Sequence, residues 1–453
     1  MKKYEEYRGI KSGDEDIDKR VTKTLEQISR EPGGSIQRSC GDVHQAKAVY
    51  RLLSNKKFKT ESVTRVSGEE SKKRIEVSGE RIVLIVQDSS ELDYSHLTIE
   101  DMGILGSKKQ RGIMLHSAIG VGVGNEIYGL MGQETITREV GSKGKSKTRK
   151  NKRIEEKESY KWIKMMEKSE KNIPAGVMGV HVSDREGDIY EYFEKCEKNE
   201  SKYLCRMRHT YRRTSESKAV SEYMEELTEA GEMTVQIPRD SHTKRKAREA
   251  KLTIKFGKTE IMRSKNLKKT SADDYSKLTV YVIYAVEKDA PVNVKEPIRW
   301  QLITNIAVQN FDEAVEKIDW YTKRWRIEDF HHTLKNGCSI EKRQASSKEK
   351  IEKLIALYSV IAIDILIMTW LARAKPDVSC EILFDDDEWK ILYCVAKKTK
   401  IPPVSPPTVC EAVRFVAILG GFLNRNSDGD PGVKSIWLGL SKLRTIFFAK
   451  QFF

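Results

Sequence analysis

Between Leu354 and Ala372 the chain reads LIALYSVIAIDILIMTWLA, an almost uninterrupted apolar run. A helix built from it is apolar on every side, so it must be enclosed by lipid or by protein. Asp364 stands at its centre, a costly position in hydrocarbon, and both flanks are those of a soluble chain. The run is therefore read as a buried core helix and not as a membrane span. The remaining residues must then supply the layers around it, and a chain of 453 residues is long enough for two to four units.

Those layers are legible as alternating periods. Residues 13–66 read as short helices, with a loop at EPGGS (31–35). Asp42 is placed to cap the second of them, and Ala46, Val49, Tyr50 and Leu53 recur at helical spacing. RIVLIVQD is a β-branched run of the buried-strand kind with Asp88 at its exit. HSAIGVGVGNEIYGLMGQETI reads as a hairpin turning at GVGNE, and AGVMGVHVSD as a second apolar strand closing on Asp184. From about 203 to 306 the pattern is one of strands. A helix then begins near Asp312 and is followed by the apolar helix. An acidic loop (FDDDEW), a proline linker (IPPVSPPT) and closing helices containing AILGGFL complete the chain.

The formal charge of +15 favours a polyanionic partner, nucleic acid before membrane. Residues 138–153, with eight Lys or Arg against one Glu, are either a solvated loop or a phosphate-tracking arm. Seven scattered cysteines without a CxxC pair argue against a disulfide framework and a structural zinc site. The polar N-terminus shows no signal peptide. A reduced, cytoplasmic setting follows.

YTKRWRIEDFHHTLKNG, from Tyr321 to Gly337, carries the chemistry. At about 100° per residue, Tyr321, Arg324, Glu328 and Lys335 share a stripe roughly 60° wide. Ile327, Phe330 and Leu334 lie opposite as a core face. A solvated row of ion pairs is the plain alternative. Asp88 and Asp184 each leave a central strand, and with Glu328 they would form three converging carboxylates. Carboxylates held close repel one another and are kept ionised by cations. Oxygen-only ligands suit Mg²⁺ or Mn²⁺, and two such ions about 4 Å apart serve phosphodiester chemistry. Arg324 and Lys335 would neutralise phosphates, and Tyr321 would donate a hydrogen bond to one.

The spacing Tyr321-x2-Arg324-x3-Glu328-x6-Lys335 resembles the Y-R-E-K signature of the insertion-sequence-four family of bacterial DDE transposases. Five further stretches resemble the same family: VQDSSELDYS, SDREGDIYEY, LGSKKQRGIMLHS, CGDVHQAKAVYRLLSN and AILGGFLNRNSDGDPGVKSIWLGL. The resemblance implies an α/β fold with a ribonuclease-H-like catalytic core, a mixed sheet flanked by helices. It also implies an inserted β-rich subdomain at about 205–305, an N-terminal helical DNA-binding domain (1–70) and a C-terminal helical dimerisation region (376–453), the catalytic domain spanning 71–375.

Asp88, Asp184 and Glu328 would be the catalytic triad, binding two Mg²⁺ or Mn²⁺ ions. Tyr321, Arg324 and Lys335 would contact DNA, Arg206 would match an active-site arginine, and Trp300 would stack a flipped-out base. The implied reaction is cut-and-paste transposition through a hairpin by a homodimer. Its partners are double-stranded DNA, as terminal inverted repeats and target, with no membrane. Two departures stand out: DSS replaces the commoner DTT, and the C-terminal segment is slightly shorter than the family pattern. The alternatives are a catalytically silent DNA-binding repressor or domesticated derivative, and a ribonuclease-H-like nuclease without strand transfer. The intact acids argue against the first, and Trp300 with the Y-R-E-K spacing against the second.

Overall fold

A computed structural model describes residues 4–106, 110–138, 152–237, 248–264, 267, 275–291, 294 and 297–450. The N-terminal helices are α1 (Glu15–Arg30), α2 (Ile36–Cys40), α3 (Val43–Ser54) and α4 (Thr60–Ser78). Asp42 caps α3 as expected, accepting the amides of His44 at 2.7 Å and Gln45 at 3.0 Å. Asp42→Ala should cost about 1 kcal/mol of stability, readable as a lower denaturant midpoint; an unshifted midpoint would make the cap dispensable. Ala46, Val49, Leu52 and Leu53 are buried, but Tyr50 is 47% exposed. Its helical phase lies about 90° from the centre of that buried face, which leaves it at the solvent boundary.

Cations from distant elements hold these helices to the body. Arg343 donates to the carbonyls of Pro32 and Gly34, Lys353 to those of Leu53 and Asn55, and Arg444 to that of Ser29. Each meets carbonyls at or just past the C-terminal end of α1 or α3, where the helix dipole favours positive charge.

The sheet centres on β1 (Ile82–Asp93). It pairs in parallel with β5 (Met178–Ser183) and antiparallel with β3 (Arg111–Gly122). Outside β3 lie β2 (Gly103–Ile104) and β4 (Ile127–Ile136), the latter closing the expected hairpin at residues 123–126. β5 continues in parallel to β6 (Lys202–Arg206). Asp88 is not at the strand exit, which corrects the sequence reading. β1 runs on to Asp93, zipped to β3, while its pairing with β5 stops at Val86. Asp88 therefore sits where β1 has lost one neighbour and kept the other.

The strands expected as an insertion do not form a separate sheet. β7 (Glu229–Ile237), β8 (Arg248–Met262), β9 (Lys277–Glu287) and β10 (Arg299–Thr304) continue outward from β6 in the order β6-β10-β9-β8-β7. All ten described strands belong to one sheet. Packed on or beside it are α5 (Tyr160–Glu170), α6 (Tyr190–Lys198) and α7 (Val220–Glu226).

The single helix expected from Asp312 is three pieces: α8 (Phe311–Thr322), α9 (Trp325–His332) and a π-helical turn (Thr333–Gly337). Ile327, Phe330 and Leu334 form the predicted core face, but Tyr321 and Arg324 are buried as well, at 3% and 7% exposure. The apolar run lies in α10 (Lys348–Ala374), which by length and composition alone could cross a membrane and is mostly buried inside the protein.

FDDDEW is not a loop. Asp385 caps α11 (Asp386–Lys397), whose first turn holds three acids near the positive end of its dipole. α12 (Val409–Leu419) ends before the two glycines of AILGGFL and crosses α13 (Val433–Lys450) at Gly439, where a Cβ would collide with the Val416 carbonyl. Of the basic stretch 138–153, residues 139–151 lie outside the described residues; Arg138 is ion-paired with Glu91 and Glu158.

Candidate active site

The C-terminal ends of the parallel strands β1, β5 and β6 open onto one edge of the sheet, the usual place for a ligand site in such folds. Asp184 follows β5 directly and caps a 3₁₀ turn, accepting the amide of Glu186 at 2.8 Å. Arg206 is the last residue of β6. Asp88, at 19% side-chain exposure, accepts the amide of Ser89 at 2.7 Å.

Glu328 reaches this edge from α9. Its carboxylate accepts from Arg324 at 2.7 Å, and the same guanidinium stands 3.8 Å from Asp88. Burial first, then the charge of Asp184, pushes the Asp88 carboxyl up to about 7, and Glu328 adds to the rise. Glu328 is also raised, mainly by burial, with Arg324 opposing. The three acids thus feel one another electrostatically.

They are not gathered as the sequence reading expects. Among the described residues no three His, Cys, Asp or Glu side chains form a ready-made ion cluster. The reason is visible: Glu328 is turned onto Arg324, which supplies the positive charge between two of the acids. The donor set is nevertheless carboxylate oxygen, which suits a hard divalent cation. Such an ion would also relieve the repulsion that raises Asp88.

The neighbours of Arg324 form a second layer. Its guanidinium lies 5.0 Å over the ring of Trp325 and 6.0 Å over that of Tyr321. The charges of Arg324 and Arg206 both act on the buried Tyr321 hydroxyl and oppose the upward push of burial, and its ring meets Trp300 edge-on at 5.9 Å. Trp300, Tyr321, Arg324, Arg206, Glu328 and Asp88 thereby lie together, and Asp184 acts on the set through its charge. Lys335 stands apart on the π-helical turn, half-buried, with its charge acting on His331. Between Glu328 and Lys335 the helix passes into the π turn at Thr333, which advances by a different angle per residue than the ideal helix of the sequence reading.

Sequence reasoning missed Trp325, which is 55% exposed beside Glu328. It also missed the buried polar groups behind the acids. Ser89 Oγ lies 2.9 Å from His116 Nδ1, and His116 packs edge-on against Trp162. Gln87, next to Asp88, bonds His181 at 2.9 Å, and His181 bonds Glu170 at 2.9 Å. Polar residues inside apolar strands, Gln87 and His181 above all, were the available signal.

Comparison with known families gives three matches in chain order. A Transposase DNA-binding model matches residues 4–58, a Transposase DDE domain model matches 182–364, and a Transposase Tn5 dimerisation domain model matches 360–451. The last two meet inside α10, so one continuous buried helix joins them. A solved structure titled as a piggyBac transposase synaptic complex with hairpin DNA is 9% identical. That similarity covers 97% of this chain and 73% of the other at a TM-score of 0.37.

Proposed function

This chain belongs to the Tn5-like DDE transposases of the insertion-sequence-four family, and we propose that it excises and inserts DNA by cutting at terminal inverted repeats through a hairpin intermediate. A DDE transposase is a DNA-cleaving and strand-transferring enzyme whose family uses a divalent metal; here a DNA-binding domain precedes the catalytic part and a dimerisation domain follows it.

The observation that carries the proposal is the placement of Asp88, Asp184 and Glu328 at one sheet edge, with Arg324 between two of them. Asp88, Asp184 and Glu328 would hold two Mg²⁺ or Mn²⁺ ions, with Glu328 exchanging Arg324 for an ion. When bound, such ions supply positive charge at the attacking and leaving oxygens of phosphoryl transfer. Arg324, released from Glu328, neutralises the scissile phosphate, and the Tyr321 hydroxyl donates to a phosphate oxygen. Trp300, which meets Tyr321 edge-on, would stack an unstacked base, offsetting part of the few kcal/mol that flipping costs. Two copies pair through the C-terminal region, each cutting the end held by the other, within the cytoplasm of a bacterium. In this reading 1–70 binds the ends, 71–375 cuts and 376–453 pairs the protomers.

The test is an end-labelled cleavage assay with Mg²⁺ on DNA bearing the inverted repeats that flank the gene. Nicks followed by hairpin ends are expected. Binding without nicking would leave a repressor, and cleavage without hairpins would leave a simple nuclease. For Lys335→Ala, binding should weaken and the slope of log K against log salt should fall by about one phosphate contact. Unchanged affinity and slope would remove Lys335 from the DNA interface.

A further inference from the structure

Asp188 lies four residues beyond Asp184 and plays no part in the acid set, yet its side chain is wholly buried. One carboxylate oxygen accepts the amides of both Arg208 and His209, each at 2.7 Å. The other stands 2.7 Å from the Arg212 guanidinium, which lies 5.5 Å over the ring of Phe193. A charge enclosed this completely persists only where several donors meet it.

The bonds join two segments that the chain keeps apart. Asp188 closes the 3₁₀ turn that Asp184 opens after β5, and Arg208 to Arg212 follow β6, whose last residue is Arg206. Cys205 adds a second tie, its thiol meeting the Asp184 carbonyl at 3.3 Å. Arg208 is exposed and Arg206 partly so, whereas the Arg212 side chain is only 11% exposed and faces inward.

We propose that Asp188 is a positioning residue: by fixing the segment after β6 to the Asp184 turn, it aims Arg206 at the DNA strand being cut. Arg212 is the internal partner of that strut and not a phosphate contact. The proposal rests on the reading of Arg206 as an active-site cation.

The experiment is a double-mutant cycle on single-turnover nicking of saturating end DNA by the full chain, using D188N and R206A. D188N should slow nicking about 10- to 100-fold, the scale of a displaced catalytic group, while the Kd for end DNA stays within about threefold. In the R206A background the same substitution should cost less than about threefold, because the aim of an absent side chain no longer matters. R212Q breaks the strut from its other side and should repeat the result where D188N fails to fold. Independent, multiplying effects of D188N and R206A would overturn the role of Asp188 alone. An unimpaired R206A would overturn the Arg206 reading and this proposal with it.

Discussion

Replacing Glu328 by Gln is expected to abolish DNA cleavage while leaving end binding within about threefold of the parent. Gln keeps the volume and one acceptor oxygen, so α9 and its buried residues Ile327 and Phe330 are undisturbed. It loses the charge that Arg324 pairs with at 2.7 Å and the anionic oxygen a divalent ion would take. The Glu328 side chain is 39% exposed, so losing its ion pair should cost less than about 1 kcal/mol of stability. Nicking should instead fall by about 10³-fold or more, as when a group stabilising transition-state charge is removed. Single-turnover cleavage beside a mobility-shift titration separates the two effects. A Gln variant that nicks at the parental rate would remove Glu328 from the metal set.

Asp88→Asn should inactivate the enzyme and, at the same time, stabilise it above neutral pH. Burial and the charge of Asp184 lift the folded-state value of Asp88 from the ordinary 3.8 to about 7. The folded protein therefore holds this proton more tightly than the unfolded chain does. Its contribution to stability is complete below about pH 4, declines as the unfolded chain ionises, and is lost once the pH has risen through 7. At 1.4 kcal/mol per unit the whole span is at most about 4 kcal/mol.

Asn carries no proton to lose. With EDTA present, the variant should match the parent near pH 4, exceed it increasingly up to pH 7 and then keep a constant lead. Mg²⁺ should raise the parental Tm at pH 8 and leave that of the variant unchanged. At limiting Mg²⁺, parental cleavage should also decline as the pH falls, because the proton competes with the ion for Asp88. Equal stability of the two proteins at pH 8 would show that Asp88 is not a desolvated, repelled acid.

Much of this was legible because burial is written in residue type. The β-branched run at 82–86 and the apolar run before Asp184 became parallel central strands. Ile327, Phe330 and Leu334 packed inward as their spacing requires. Leu354 to Ala372 lies within a helix mostly enclosed by protein. Reading failed where local spacing was extrapolated. Tyr50 shared a rough helical repeat with core residues yet is exposed, and Tyr321 and Arg324, placed opposite the core face of their helix, are buried.

Residue chemistry and order by themselves determined that a basic chain would carry two acids on buried, strand-forming runs, with a cation-flanked Glu on a later helix. Hydrophobic periodicity and side-chain charge are local properties, so no partner need be known to read them. Only tertiary structure decided that Glu328 turns onto Arg324, that Asp88 lies within β1 where β5 ends its pairing, and that Asp188 binds the segment beyond β6. Those outcomes depend on strand register and on which distant group reaches a charge first, and neither is encoded in the spacing of neighbours along the chain.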